Sequence, residues 1–228
     1  MKPILSRLII PVLGMLSILI LALSSGNPDP ERFRQEITNF QQWDSKNATP
    51  ADPVLFVGSS SIRLWPTHDY FPALPVINRG FGGSHISDVN YYVKETVLKY
   101  NPRLIVFYAG DNDIADGKEA GTVLIDFSTF ADTIHNRLPE TPIIFIPIKP
   151  SPSRWKFWKE MQAANKLVEK YCKEEKYLFY IDTATPMIGK NRRPESSIFI
   201  SDSLHLNKNG YDLWSGILAP VLSEMYSR

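Results

Sequence analysis

Cysteine is nearly missing. Only Cys172 occurs in 228 residues, so no intrachain disulfide can form and stability must come from the core. An excess of charge is missing too. The 25 basic side chains meet 24 acidic ones, and no block of like charge exceeds a few residues, which argues against a nucleic-acid partner. There is no His-Glu-x-x-His and no paired-cysteine motif, so no metal is expected. The glycines at 80, 82 and 83 lack Gly-x-Gly-x-x-Gly spacing, and no Gly-x₄-Gly-Lys-Ser/Thr occurs, so no nucleotide cofactor is expected either. No internal repeat or low-complexity tract appears.

What is present divides into three parts. In residues 1–24, Lys2 and Arg7 precede an uncharged run over 8–23, followed by the small residues Ser24 and Ser25. Sixteen positions are short for a spanning helix, which needs about 20. The charged start, apolar middle and small-residue end read as a secretory signal peptide, with a retained membrane anchor as the alternative. Either reading places the chain outside the cytoplasm: secreted, periplasmic or anchored facing outward. Residues 25–52 read as a linker and a lead-in helix carrying Phe33, Ile37, Phe40 and Trp43. Residues 53–228 form one domain, of a length that needs no division.

Within that domain, short apolar runs at 54–57, 76–78, 104–108, 143–148 and 178–181 are continuous and rich in β-branched or aromatic residues, as strands buried on both faces are. Helical stripes alternate with them. One comprises Ile86, Val89, Val93 and Val97, and another Val123, Phe127, Phe130, Ile134 and Leu138. A third comprises Phe157, Met161, Ala164, Val168 and Tyr171, and the last Tyr211, Trp214, Leu218, Val221 and Met225, with a bend expected at Pro220. The alternation predicts an α/β fold, a three-layer αβα sandwich around a parallel sheet of about five strands. Such sheets bind ligands at the carboxyl ends of their strands.

Four stretches fall at those ends: Gly58-Ser59-Ser60-Ser61, then Asn78 to Ser84, then Gly110-Asp111-Asn112-Asp113, and Ser201-Asp202-Ser203-Leu204-His205. Together they have what acyl transfer needs. A serine hydroxyl attacks only when a base removes its proton, and histidine suits that task near neutral pH. A carboxylate orients the imidazole. Asp202 and His205, three apart before a helix opening near Asn207, could supply both from one turn. A developing oxyanion needs fixed donors, such as a glycine N–H or the Asn112 amide. Taken singly, Ser60 could equally be a turn or helix cap, and residues 82–83 a tight turn.

In order and interval, over roughly residues 52–222, these four stretches resemble the blocks of the SGNH (GDSL-type) hydrolase superfamily. The resemblance implies a flavodoxin-like fold and a serine esterase without cofactor. Its Gly-Asp-Ser-x block falls on Gly58 to Ser61, with Ser60 as nucleophile and Ser59 in place of the aspartate. It implies oxyanion donors at Ser60 N–H, Gly83 and Asn112, and a base–acid pair in His205 and Asp202. The implied substrate is a small-molecule or glycan ester: a short acyl or acetyl ester, or an O-acetylated carbohydrate, with lysophospholipase or thioesterase activity as a further alternative. A binding protein whose activity has lapsed is the competing class. Membrane association would run through residues 1–24.

The remaining candidates have plainer roles. Of the four histidines, only His205 has a carboxylate at i−3; His85 lies near the site, His68 away from it, and His135 inside a helix. Ser59 is expected to hold its loop, Ser61 to cap the next helix, and Asp113 to brace its turn. Arg154 and Trp155 are placed at a pocket rim, Arg154 facing an acidic substrate, with Trp155, Phe157 and Trp158 either lining an acyl or aglycone site or packing their helix against the sheet. Cys172 is expected to be packed and inert.

Overall fold

The computed structural model describes residues 27–227. The segment assigned to export lies outside these residues. Each expected run forms a strand: β1 (Val54–Gly58), β2 (Val76–Gly80), β3 (Leu104–Tyr108), β4 (Ile143–Phe145) and β5 (Leu178–Tyr180). All pair in parallel, in the order β2-β1-β3-β4-β5. The chain leaves β1 toward β2 on one side, then returns to place β3 on the other. The ends of β1 and β3 therefore flank the point where winding reverses, the crevice where such sheets bind ligands.

The helices are α1 (Arg34–Asp44), α2 (Ser60–Arg63), α3 (Thr67–Tyr70), α4 (Ile86–Tyr91), α5 (Val93–Thr96), α6 (Asp111–Ala115), α7 (Ala120–Arg137), α8 (Trp158–Glu174) and α9 (Lys208–Ser227). Alternation along the strands builds two core layers. Leu55, Val57, Ile105, Phe107, Ile143 and Phe145 face one layer, against Phe127 and Phe130 of α7 and Met161 and Val168 of α8. Val54, Phe56, Leu104, Val106, Tyr108 and Ile144 face the other, against Trp65 and against Trp214 and Leu218 of α9. The three-layer sandwich expected from sequence is the fold.

Two local expectations are corrected. The stripe from Ile86 to Val97 is two helices broken at Tyr92, where tyrosines and β-branched residues favour helix weakly. The run at 143–148 stops pairing as a strand at Phe145. Beyond it the Asn165 side-chain amide replaces a strand partner, donating to Ile148 O at 2.9 Å and accepting from Ile148 N at 2.8 Å. Pro220 lies inside α9, which is helical from Lys208 to Ser227. The lead-in helix is docked onto the domain rather than loosely linked. Phe33 and Ile37 enter the first core layer. Arg32 pairs with buried Asp88 at 2.5 Å, and Asp44 receives Arg79, Lys99 and the Tyr100 hydroxyl.

β1 ends at Gly58, whose φ of +137° L side chains rarely adopt. A Cβ there would lie 1.8 Å from the Tyr108 carbonyl oxygen. Gly58→Ala combines a strained φ with an overpacked contact, each worth about 1–3 kcal/mol, so a loss of about 3 kcal/mol or more is expected. Urea unfolding measures it, and a variant as stable as wild type would contradict this account of the turn.

Candidate active site

The glycine turn delivers the serines to the carboxyl end of β1. Ser59 is buried and its hydroxyl has no hydrogen-bond partner, so the expected loop-holding bond is not made. Its backbone does that work instead: Ser59 N–H donates to Tyr108 O at 2.9 Å, and Ser59 O accepts from Ile62 and Arg63 N–H. Ser61 is not a cap either. It sits inside the single turn of α2, and its carbonyl accepts from the Tyr211 hydroxyl at 3.0 Å. Ser60 opens that turn, and its Oγ lies 2.9 Å from His205 Nε2.

His205 and Asp202 share a tight turn just before α9, closed by a bridge between Phe199 and Leu206 and by Ile200 N–H on His205 O. Ser203 takes the left-handed conformation there, with φ +57°. Asp202 Oδ1 accepts from the N–H groups of Leu204 and His205, both at 2.9 Å, and Oδ2 meets His205 Nδ1 at 2.6 Å. A carboxylate can only accept, so the ring proton belongs on Nδ1, and Nε2 is left to accept from Ser60 Oγ–H. Burial acts to raise the Asp202 carboxyl. The His205 N–H, the His205 ring and the Leu204 N–H outweigh it and bring the pKa down to about 2. The acid is therefore ionised throughout the ordinary pH range. Ser60 and the Asp202–His205 pair, 142 to 145 positions away in sequence, form one hydrogen-bond chain.

Two further stretches join at the same place. Phe81 N–H donates to Gly58 O at 2.9 Å, fixing the loop after β2 to the end of β1. Gly83 has φ +81°, and a Cβ on it would meet nothing within 4 Å, so its positive φ rather than crowding is what calls for glycine. Asn112 follows β3 at the start of α6. Its Nδ2 donates to Ser84 O at 3.0 Å, which ties the third stretch to the second. Ser153 N–H donates to Ser203 O at 3.1 Å and ties the loop after β4 to the Asp202–His205 turn.

Sequence reasoning did not find the group behind Asn112. Arg154 faces inward rather than toward a substrate. Its Nη2 donates to Asn112 Oδ1 at 2.8 Å, and its Nη1 lies 3.0 Å from Asp111 Oδ2. Lys149, also buried, lies 3.2 Å from the same carboxylate oxygen and donates to the Tyr108 hydroxyl at 3.0 Å. Burial would raise the Asp111 carboxyl, but Lys149 and Arg154 hold it below the ordinary carboxylate range. The available signal was a lysine directly after an apolar run, Lys149, with an acid in another block to receive it.

Among the described residues, none of the other candidates hydrogen-bonds with the Ser60 side chain. His85 is buried and pairs through Nε2 with Asp116 at 2.8 Å. His135 stacks on Tyr177, with ring centres 4.0 Å apart. His68 lies in α3. Asp113 braces its turn as expected, accepting from Ile86 N–H and from Lys118. Trp155 and Trp158 stack on each other half-buried, with the Arg193 guanidinium over the Trp155 ring. Burial pushes the Cys172 thiol up to about 12, which suits a packed and inert side chain. Among the described residues, no group of three or more His, Cys, Asp or Glu is placed to hold a metal ion, and no helix is long and apolar enough to cross a membrane.

The sequence pattern of the GDSL-like Lipase/Acylhydrolase family matches residues 63–213. The match spans Gly83, Asn112, Asp202 and His205 and begins three residues after Ser60. Curated proteins give no match. Solved structures do. A Streptococcus pneumoniae protein provisionally assigned as a platelet activating factor is 17% identical, with a TM-score of 0.75 over 84% of this chain and 93% of that one. A GDSL-like lipase of Bacteroides thetaiotaomicron is 22% identical, with a TM-score of 0.72 over 82% and 97%. A carbohydrate esterase family 3 protein of Talaromyces cellulolyticus is 15% identical, with a TM-score of 0.61 over 77% and 99%. At these identities the likeness is one of fold.

Proposed function

The chain belongs to the GDSL-like Lipase/Acylhydrolase family of ester-hydrolysing enzymes, and from that premise we propose that it cleaves short acyl or acetyl esters through an acyl-enzyme on Ser60. Ser60 Oγ attacks the ester carbonyl carbon as its proton passes to His205 Nε2. The carbonyl electron pair moves onto oxygen, where the N–H groups of Ser60 and Gly83 and the second Nδ2 hydrogen of Asn112 receive it. The tetrahedral adduct collapses, the C–O bond to the alcohol breaks, and the alcohol leaves with the proton returned by His205. Water then repeats the sequence on the acyl-enzyme, releasing the acid and restoring the Ser60 hydroxyl. Asp202 holds the ring and stabilises its charged form.

The observation that carries this reading is the hydrogen-bond chain Asp202–His205–Ser60, at 2.6 and 2.9 Å. A second reading, carbohydrate O-deacetylation by the same chemistry, draws support from the likeness in fold to a carbohydrate esterase family 3 protein. The charged start and apolar run of residues 1–24 support action outside the cytoplasm.

A membrane-impermeant organophosphonate tests chemistry and location together. It is expected to add one adduct, at Ser60, on intact cells. An unlabelled protein under conditions that label other serine esterases would leave a lapsed binding protein, and labelling only after lysis would place the enzyme inside. Acetylated sugars set against acyl esters of increasing chain length then choose between the two substrate readings.

A further inference from the structure

We propose that Arg154 is a positioning residue of the oxyanion site, acting through Asn112; the inference rests on the esterase reading above. A side-chain amide is useful to an oxyanion only if its nitrogen, not its oxygen, faces the reacting atom. Asn112 is held to one orientation from both ends. Its Oδ1 accepts from Arg154 Nη2 at 2.8 Å, and its Nδ2 donates to Ser84 O at 3.0 Å. Turning the amide over would set Oδ1 against the Ser84 carbonyl and Nδ2 against the guanidinium, two like-to-like contacts at once. In the held orientation the second Nδ2 hydrogen remains for substrate.

Arg154 does more than fix the orientation. A cation on Oδ1 draws electron density from the amide nitrogen, so its remaining N–H becomes the stronger donor. Among the described residues, Asp111 is the one carboxylate at ion-pair distance from both Lys149 and Arg154. Arg154 Nη1 is near it, 3.0 Å from Oδ2, yet has no hydrogen-bond partner. Asp111 thus faces both cationic side chains, all three largely or wholly out of water, and the charge of Asp202 also acts on Lys149. The Arg154 guanidinium sits directly behind the donor that would meet the oxyanion, where weak screening makes its charge effective.

This arrangement differs from an anion-reading arginine at a pocket rim in a measurable way. Arg154→Met is expected to lower kcat by about 10–100-fold while KM stays within about threefold, because the loss falls on the transition state. Arg154→Lys, which keeps the charge but not the forked contacts, should recover part of the rate, and added guanidinium should rescue the Met variant. Combined with Asn112→Ala, Arg154→Met should add at most about a twofold further loss, since a residue acting through Asn112 has nothing left to act on. Losses that multiply would show independent action and overturn the proposal. So would a raised KM at unchanged kcat, which would make Arg154 a substrate contact.

A second readout does not need turnover. The Asn112 side-chain NH₂ signals in a ¹⁵N–¹H spectrum, identified by their absence in Asn112→Ala, are expected to move in Arg154→Met, or in Arg154→Lys should the Met variant fail to fold. Signals that stay in place would sink the proposal. A wild-type protein that hydrolyses no ester would instead sink the esterase reading, while the spectrum still reports whether Arg154 orients the amide.

Discussion

Ser60→Ala is expected to lower kcat by about 10⁴–10⁶-fold on any ester the wild type hydrolyses. On the proposed mechanism this hydroxyl forms the covalent bond, and nothing beside it can substitute. The flanking serines are close in sequence but not in function. Ser59 is locked by its backbone against Tyr108, and Ser61 points its carbonyl to Tyr211. The substitution removes one oxygen from a side chain that is 8% exposed, so the fold should hold. Unfolding by urea alongside turnover of a chromogenic short-chain ester separates the two effects. Residual turnover near wild type in a folded variant would place the nucleophile elsewhere.

Asp202→Asn is expected to cost about 10²–10⁴-fold in kcat. The amide can donate to Nδ1, which drives the ring proton onto Nε2, and Nε2 then presents a hydrogen to Ser60 where the mechanism needs a lone pair. Because the carboxyl is brought down to about 2, the deficit should be constant from about pH 4 to pH 8. Any fall in wild-type turnover in that interval belongs to another group. The sign for stability follows from the same shift. A carboxyl lowered on folding stabilises the fold above its unfolded pKa near 4, and this contribution fades as pH drops toward 2. A pH series of kcat on both proteins checks the first point. A deficit that vanishes at pH 5 would mean that Asp202 titrates where it is held to be ionised.

The sequence carried the frame well because period and burial are local properties. Strands buried on both faces must be apolar throughout, so the runs around Phe56, Val106 and Ile144 declared themselves. Asp202 and His205 were legible because three residues of turn bring them together without help from the rest of the chain. Contacts made across the fold were not legible. Nothing near residue 154 tells that its guanidinium turns inward to an amide 42 positions earlier. Nor does the run at 143–148 reveal that the Asn165 amide will take over from the sheet. The break at Tyr92 was hidden because the apolar spacing of Ile86, Val89 and Val93 continues across it. The docking of α1 depends on Asp44 meeting Arg79, Lys99 and Tyr100, which are distant in sequence.

One helix holds the two halves of the chemistry in register. α9 begins three residues after His205, and through Tyr211 on Ser61 O and Ser215 on the Trp65 indole it grips the segment that carries Ser60. On the proposed mechanism the nucleophile is thus synthesised 145 residues before its base, and further still ahead of the brace that aligns them. A growing chain would be chemically silent until α9 has emerged and docked, so the order of synthesis alone would shield the maker from its own product.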